Sequence, residues 1–137
     1  MAAVFRVGIT RDFLKADGSL GFGDIGLGML DVPGMEREFL KENHSEIPPD
    51  VADQYDALLV LAPKITAATV DGCKRLRVVA RFGVGYDNVD VPACTRNGVM
   101  LTITPDGVRR PVAASAITLI LALAHKLLIK DRMTREG

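Results

Sequence analysis

Five consecutive apolar residues, Ala57-Leu58-Leu59-Val60-Leu61, constrain this chain more than any other stretch. A strand on a half-solvated sheet alternates apolar and polar residues; a run apolar on both faces belongs to a parallel strand covered on both sides. Parallel strands need crossover connections, so strands and helices should alternate along the chain. Residues 4–10, 36–40, 77–81 and 99–103 supply the other strands, on β-branched or apolar content. Between them, Asp50 caps a short helix reaching Tyr55, Thr66 caps one reaching Arg75, and residues 91–96 form a third. The glycine-rich segment 11–34 reads as loop, with a short helix near residues 24–30. The expected fold is α/β, a flavodoxin-like, doubly wound parallel sheet of about five strands with right-handed crossovers.

The final segment, from Val108 to Arg132, reads as one long helix. Pro111 falls in its first turn, and Lys126, Lys130 and Arg132 suit its negative end. Its apolar residues run nearly all round, among them Val112, Ile117, Ile120, Leu121 and Leu128. An outer helix of a small domain needs only one apolar stripe. Such a helix is therefore either buried in its own domain's core or covered by a partner.

Seventeen basic residues balance seventeen acidic ones in 137, which gives no footprint for nucleic acid or an anionic membrane. Cys73 and Cys94 both fall in expected helices without metal-ligand spacing, and read as reduced thiols of a cytoplasmic protein. The first six residues lack the basic-then-apolar order of a leader peptide. The longest apolar stretch, 111–124, is expected to be too short to span a bilayer.

The chemistry concentrates in Arg81-Phe82-Gly83-Val84-Gly85-Tyr86-Asp87-Asn88-Val89-Asp90, directly after the strand at 77–80. A Gly-x-Gly turn at the carboxyl end of a strand exposes backbone amides, in the region where open α/β sheets bind ligands. Asp87, Asn88 and Asp90 are candidates to cap the helix that follows. This decapeptide, followed by Asn97-Gly98-Val99 and Thr104-Pro105-Asp106, resembles the D-2-hydroxyacid dehydrogenases, the group that includes phosphoglycerate dehydrogenase.

The resemblance runs from about Val4 to the last helix. It implies the substrate-binding domain of an NAD- or NADP-dependent enzyme that oxidises 2-hydroxy acids to 2-oxo acids, present as an inactive fragment that binds neither dinucleotide. Residues 1–107 would form that domain. Residues 108–137 would form an interdomain helix and the start of a linker to an absent nucleotide-binding domain. The amides of Val84 and Gly85, within the Gly83-Val84-Gly85 turn, would hold the substrate carboxylate, and Gly85 would tolerate no side chain. Arg81 matches an arginine of phosphoglycerate-type members, and Lys64 stands with it as a second cation facing one crevice. Thr104 and Pro105 would line the cleft near the nicotinamide. No catalytic or metal-binding residue is expected here, since the family's histidine, glutamate and arginine lie in or beyond the nucleotide domain. Two departures stand out. No arginine lies near Val60-Leu61, against a phosphorylated substrate, and Val112-Ala113-Ala114-Ser115 lacks a glutamate common at the helix start.

Two other signals carry less. Gly21-Phe22-Gly23-Asp24-Ile25-Gly26 matches the dinucleotide fingerprint formally, but about ten residues of loop separate it from the first strand, where the motif requires direct succession. His44 and His125 sit in an acidic loop and near a helix end. The rival function is a stand-alone α/β ligand-binding or interaction module. A homodimer through the helix from Val108 to Arg132 is expected if that helix normally packs against the absent nucleotide-binding domain.

Overall fold

The computed structural model describes residues 4–137. The first three residues, part of the stretch assessed for leader character, lie outside it. Two compact units divide the chain, one ending at Thr104 and the other spanning Pro105–Gly137.

The first unit is a five-stranded parallel sheet of β1 (Phe5–Ile9), β2 (Met35–Phe39), β3 (Ala57–Val60), β4 (Val78–Arg81) and β5 (Met100–Thr102), in the order β2-β1-β3-β4-β5. This is the flavodoxin-like order. β3 is central, pairing Gly8↔Leu58 on one side and Leu58↔Val79 on the other. Its unbroken apolarity follows from that place. Leu58 and Val60 enter the larger core with Ile65, Val70 and Val79, while Leu59 and Leu61 pack on the opposite face against Ile9, Phe13 and Leu27. Each fully buried Leu or Val is worth about 1.5–3 kcal/mol over its exposed state. Gly8 is fixed by close approach, since a Cβ there would lie 2.8 Å from Leu58 Cδ2 and 2.9 Å from the Tyr55 ring.

Three short helices connect the strands: α1 (Pro49–Ala52), α2 (Ala67–Val70) and α3 (Val91–Arg96). Two depart from expectation. Asp50 does not cap α1; Pro48 holds the N-cap and Pro49 opens the helix, because a fixed φ and a missing N–H suit that position. α2 ends at Val70 rather than Arg75. Asp53 Oδ1 accepts from the amides of Lys74 at 2.6 Å and Arg75 at 2.8 Å, which holds that stretch out of the helix. Cys73 consequently lies beyond α2, its thiol donating to the Thr69 carbonyl. Thr66 does stand at the α2 N-cap, where its amide donates to Thr69 Oγ1.

The second unit comprises α4 (Pro105–Ala124) and α5 (Leu127–Glu136), not one continuous helix. Lys126, at φ 52°, adopts a left-handed conformation and breaks the run; positive φ at a non-glycine residue costs about 1–2 kcal/mol and has no signature in this sequence. Pro105, not Pro111, opens α4. Pro111 lies in its interior, where it removes one helical hydrogen bond. At 20 residues and mean hydropathy 1.4, α4 is by length and composition long and apolar enough to cross a membrane, contrary to the shorter stretch read from sequence. It contains no buried residue.

Candidate functional site

The decapeptide leaves β4 at the carboxyl edge of the sheet, beside the loops that follow β1 and β3. Phe82 turns into the smaller core, its ring 5.2 Å from that of Phe13, and Phe22 completes the aromatic cluster. The Gly21–Gly26 run thus helps to cover this face. After Phe82 the backbone reaches Gly83, buried at φ 135°, a conformation that L side chains rarely adopt. A Cβ there would also press on the Arg81 guanidinium, with Cζ at 3.0 Å. Gly85 has ordinary φ, and a Cβ on it would meet only Asp87 Oδ2 at 3.8 Å. The glycine that the turn requires is therefore Gly83, not Gly85.

Side chains secure both ends of the loop. At its start, the Gly83 amide donates to Thr104 Oγ1 at 2.8 Å, and the Thr104 amide donates to the Gly83 carbonyl at 2.9 Å. At its end, Asn88 Nδ2 donates to the Pro63 carbonyl at 2.8 Å and to that of Ala62 at 3.4 Å. Main-chain bonds add to this: Ile65 N–H donates to Asn88 O, and Asp90 N–H to Ile65 O, both at 2.8 Å. Asp90 then caps α3 through the Ala93 amide. Between the secured ends, the amides of Val84 and Gly85 have no acceptor among the described residues, and both residues are exposed.

Leu61, Ala62, Arg81, Gly85, Asp87 and Asn88 border a depression of about 320 Å³ here. Arg81 is its one cation among the described residues, and Asp87 on the same rim offsets part of that charge. The Arg81 guanidinium folds back to donate to the Phe82 carbonyl, while its Nε is buried without a partner. Lys64 does not line the depression; its main chain pairs with the 45–47 segment instead, the Ile47 amide donating to the Lys64 carbonyl at 3.0 Å. Of the sequence candidates, the fold thus gathers Arg81, Gly83, Val84, Gly85 and Thr104, and leaves Lys64 apart.

Two contributors escaped the sequence reading. The sequence offers Asn88 only as a helix cap, whereas its carboxamide donates to the carbonyls of Pro63 and Ala62. Asp12 accepts the Ala62 amide at 2.8 Å through Oδ2, and its Oδ1 is buried without a partner; one acidic residue in a long loop carries no signal of that contact. Neither cysteine is set up as a nucleophile, since burial raises both thiol pKa values, helped by Asp53 at Cys73 and Asp90 at Cys94. His44 lies apart from the depression, beside Glu38, Lys41 and Tyr55. No cluster of His, Cys, Asp or Glu that could hold a metal occurs among the described residues.

Residues 24–128 match the family described as D-isomer specific 2-hydroxyacid dehydrogenase, catalytic domain. The chain belongs to this family. A glyoxylate reductase from Thermococcus gammatolerans is 44% identical over 103 residues, which cover 74% of this chain and 30% of the relative. A D-3-phosphoglycerate dehydrogenase from Archaeoglobus fulgidus is 36% identical over 105 residues, covering 76% of this chain and 18% of that one. The crystal structure of D-lactate dehydrogenase from Aquifex aeolicus, complexed with NAD and lactic acid, shares the fold at TM-score 0.70 and 21% identity, covering 94% of this chain and 37% of its own. The chain spans about a third of the length of the glyoxylate reductases it matches.

Proposed function

We propose that this chain is the substrate-binding domain of an NAD(P)-dependent D-2-hydroxyacid dehydrogenase whose complete form interconverts a small 2-hydroxy acid and its 2-oxo acid by hydride transfer. The observation that carries this is the pair of unpartnered amides at Val84 and Gly85 on a loop fastened at both ends. A carboxylate has two acceptor oxygens, and two fixed backbone donors meet them without loss of side-chain entropy. Arg81 adds positive charge on the rim. Val60 and Leu61 pack into the cores, so no cation stands where phosphoglycerate-type members carry an arginine. That, with a shallow rim of Leu61 and Ala62, supports a short unphosphorylated acid such as glyoxylate, the substrate named for the Thermococcus relative.

The described residues do not fit a dinucleotide. The Gly21–Gly26 run follows a loop and covers a core face, so it offers no strand-to-helix turn for a pyrophosphate. Dinucleotide binding and the acid/base are therefore assigned to the remainder of the complete enzyme, and this chain alone is inactive. Thr104 and Pro105 stand by the nicotinamide in this reading, with the Thr104 hydroxyl already engaged by Gly83.

The complete enzyme should reduce glyoxylate with NADH or NADPH, and the 137-residue chain should give no calorimetric heat with either dinucleotide. Micromolar dinucleotide binding by the chain alone would overturn the domain assignment. Failure of the complete protein to reduce any small 2-oxo acid would overturn the reaction. The exposed apolar surface of α4 favours one second reading, an interaction module without catalysis, which the same turnover assay separates.

A further inference from the structure

The carboxylate-binding amides lie between Gly83 and Asn88, and these two residues are held by unrelated parts of the fold. Thr104, after β5, holds Gly83; the carbonyls of Pro63 and Ala62, after β3, hold Asn88. The four residues between them make no other side-chain hydrogen bond among the described residues. Where the amides of Val84 and Gly85 point is therefore set by the two ends.

From this we propose that Asn88 is a positioning residue for substrate, acting through the loop and touching no reacting atom. Its carboxamide is the group present that donates to both loop carbonyls, which otherwise lack a hydrogen-bond donor among the described residues. A carboxylate needs both amides aimed at it together, so a loop that loses its side-chain tie at one end, keeping there only the main-chain bonds of Asn88 and Asp90 with Ile65, loses affinity for the acid while the chemistry downstream is unaltered. Asp12 extends the same support one step outward, since it fixes the Ala62 amide while Asn88 holds the Ala62 carbonyl.

This inference rests on the proposed dehydrogenase function, and its test separates the two. In the complete enzyme, Asn88→Ala should raise KM for the 2-oxo acid about tenfold, the scale of one lost hydrogen bond. The dinucleotide KM should stay unchanged and kcat should stay within about twofold. Asn88→Ser, too short to reach Pro63 but tolerated in turns, should do the same, and it decides the matter if the alanine variant fails to fold. Adding Thr104→Val to either variant should raise KM by less than the product of the single effects, because the loop has already lost its side-chain tie at the other end. A normal KM for the 2-oxo acid in a folded Asn88 variant, or equal losses in both substrates' KM, would overturn the positioning role and leave the dehydrogenase reading intact. A parent without 2-oxo acid reductase activity would overturn both.

Discussion

Gly83 and Thr104 exchange two hydrogen bonds, amide to hydroxyl at 2.8 Å and amide to carbonyl at 2.9 Å, across twenty-one residues of sequence. The pair joins the ends of β4 and β5 at the sheet's carboxyl edge. Gly83 is buried, so water is a poor substitute for the hydroxyl.

Thr104→Val keeps the shape and deletes the acceptor. It should destabilise the protein by about 1–3 kcal/mol, the cost of a buried unpaired amide. Urea unfolding measures this as a lower midpoint at unchanged slope. A variant as stable as its parent would show that solvent reaches Gly83.

Glycine should matter at 83 and not at 85. Gly83→Ala forces a side chain into φ 135°, at a cost of about 1–3 kcal/mol, and should raise KM for the acid in the complete enzyme. Gly85→Ala has ordinary φ and open space, and should stay within about 0.5 kcal/mol of the parent. The reverse ranking, measured by denaturation and kinetics side by side, would mean that the turn takes another conformation.

Acid should weaken the fold through Asp56. Its Oδ2 accepts from the Arg6 amide at 2.7 Å and from Arg75 Nη2 at 2.8 Å. Burial pushes this carboxyl's pKa up, but the hydrogen bonds from Arg75 and Arg6 outweigh it and hold the pKa below the usual range. A folded-state pKa lower than the unfolded one adds stability that is complete above the unfolded value of about 4 and is lost as pH falls through the folded value. The denaturation midpoint should therefore drop below about pH 4, and Asp56→Asn should flatten that limb while lowering the midpoint at pH 7. An unaltered acid limb would place the proton uptake elsewhere.

Self-association should follow from α4. Leu119, Ile120 and Leu123 are each more than 60% exposed. At about 25 cal/mol per Å², a few hundred Å² of such surface is worth several kcal/mol to whatever covers it. The 137-residue chain should sediment as a dimer, and replacing Leu119, Leu121 and Leu123 with lysine should yield a folded monomer. A parent that is already monomeric at high concentration ends the idea.

The sheet was legible because its signals are local. An unbroken apolar run on both faces of a strand has one home, the centre of a covered parallel sheet, and Ala57–Val60 takes it. The decapeptide likewise announced a turn with free amides after β4, since a Gly-x-Gly after a strand leaves them without partners. Tertiary structure decided what depends on partners distant in sequence. Asp53 ended α2 early by capturing the amides of Lys74 and Arg75. Lys64 reads as a crevice cation, yet it does not border the depression that Arg81 and Asn88 line. Which glycine is indispensable depends on φ, which two identical residues in one motif cannot reveal. Asn88 and Thr104 became the supports of the loop only when the pairing of β3, β4 and β5 brought Pro63 and Gly83 to them, because a hydrogen bond's partner is chosen by the folded geometry and not by the residue that offers it.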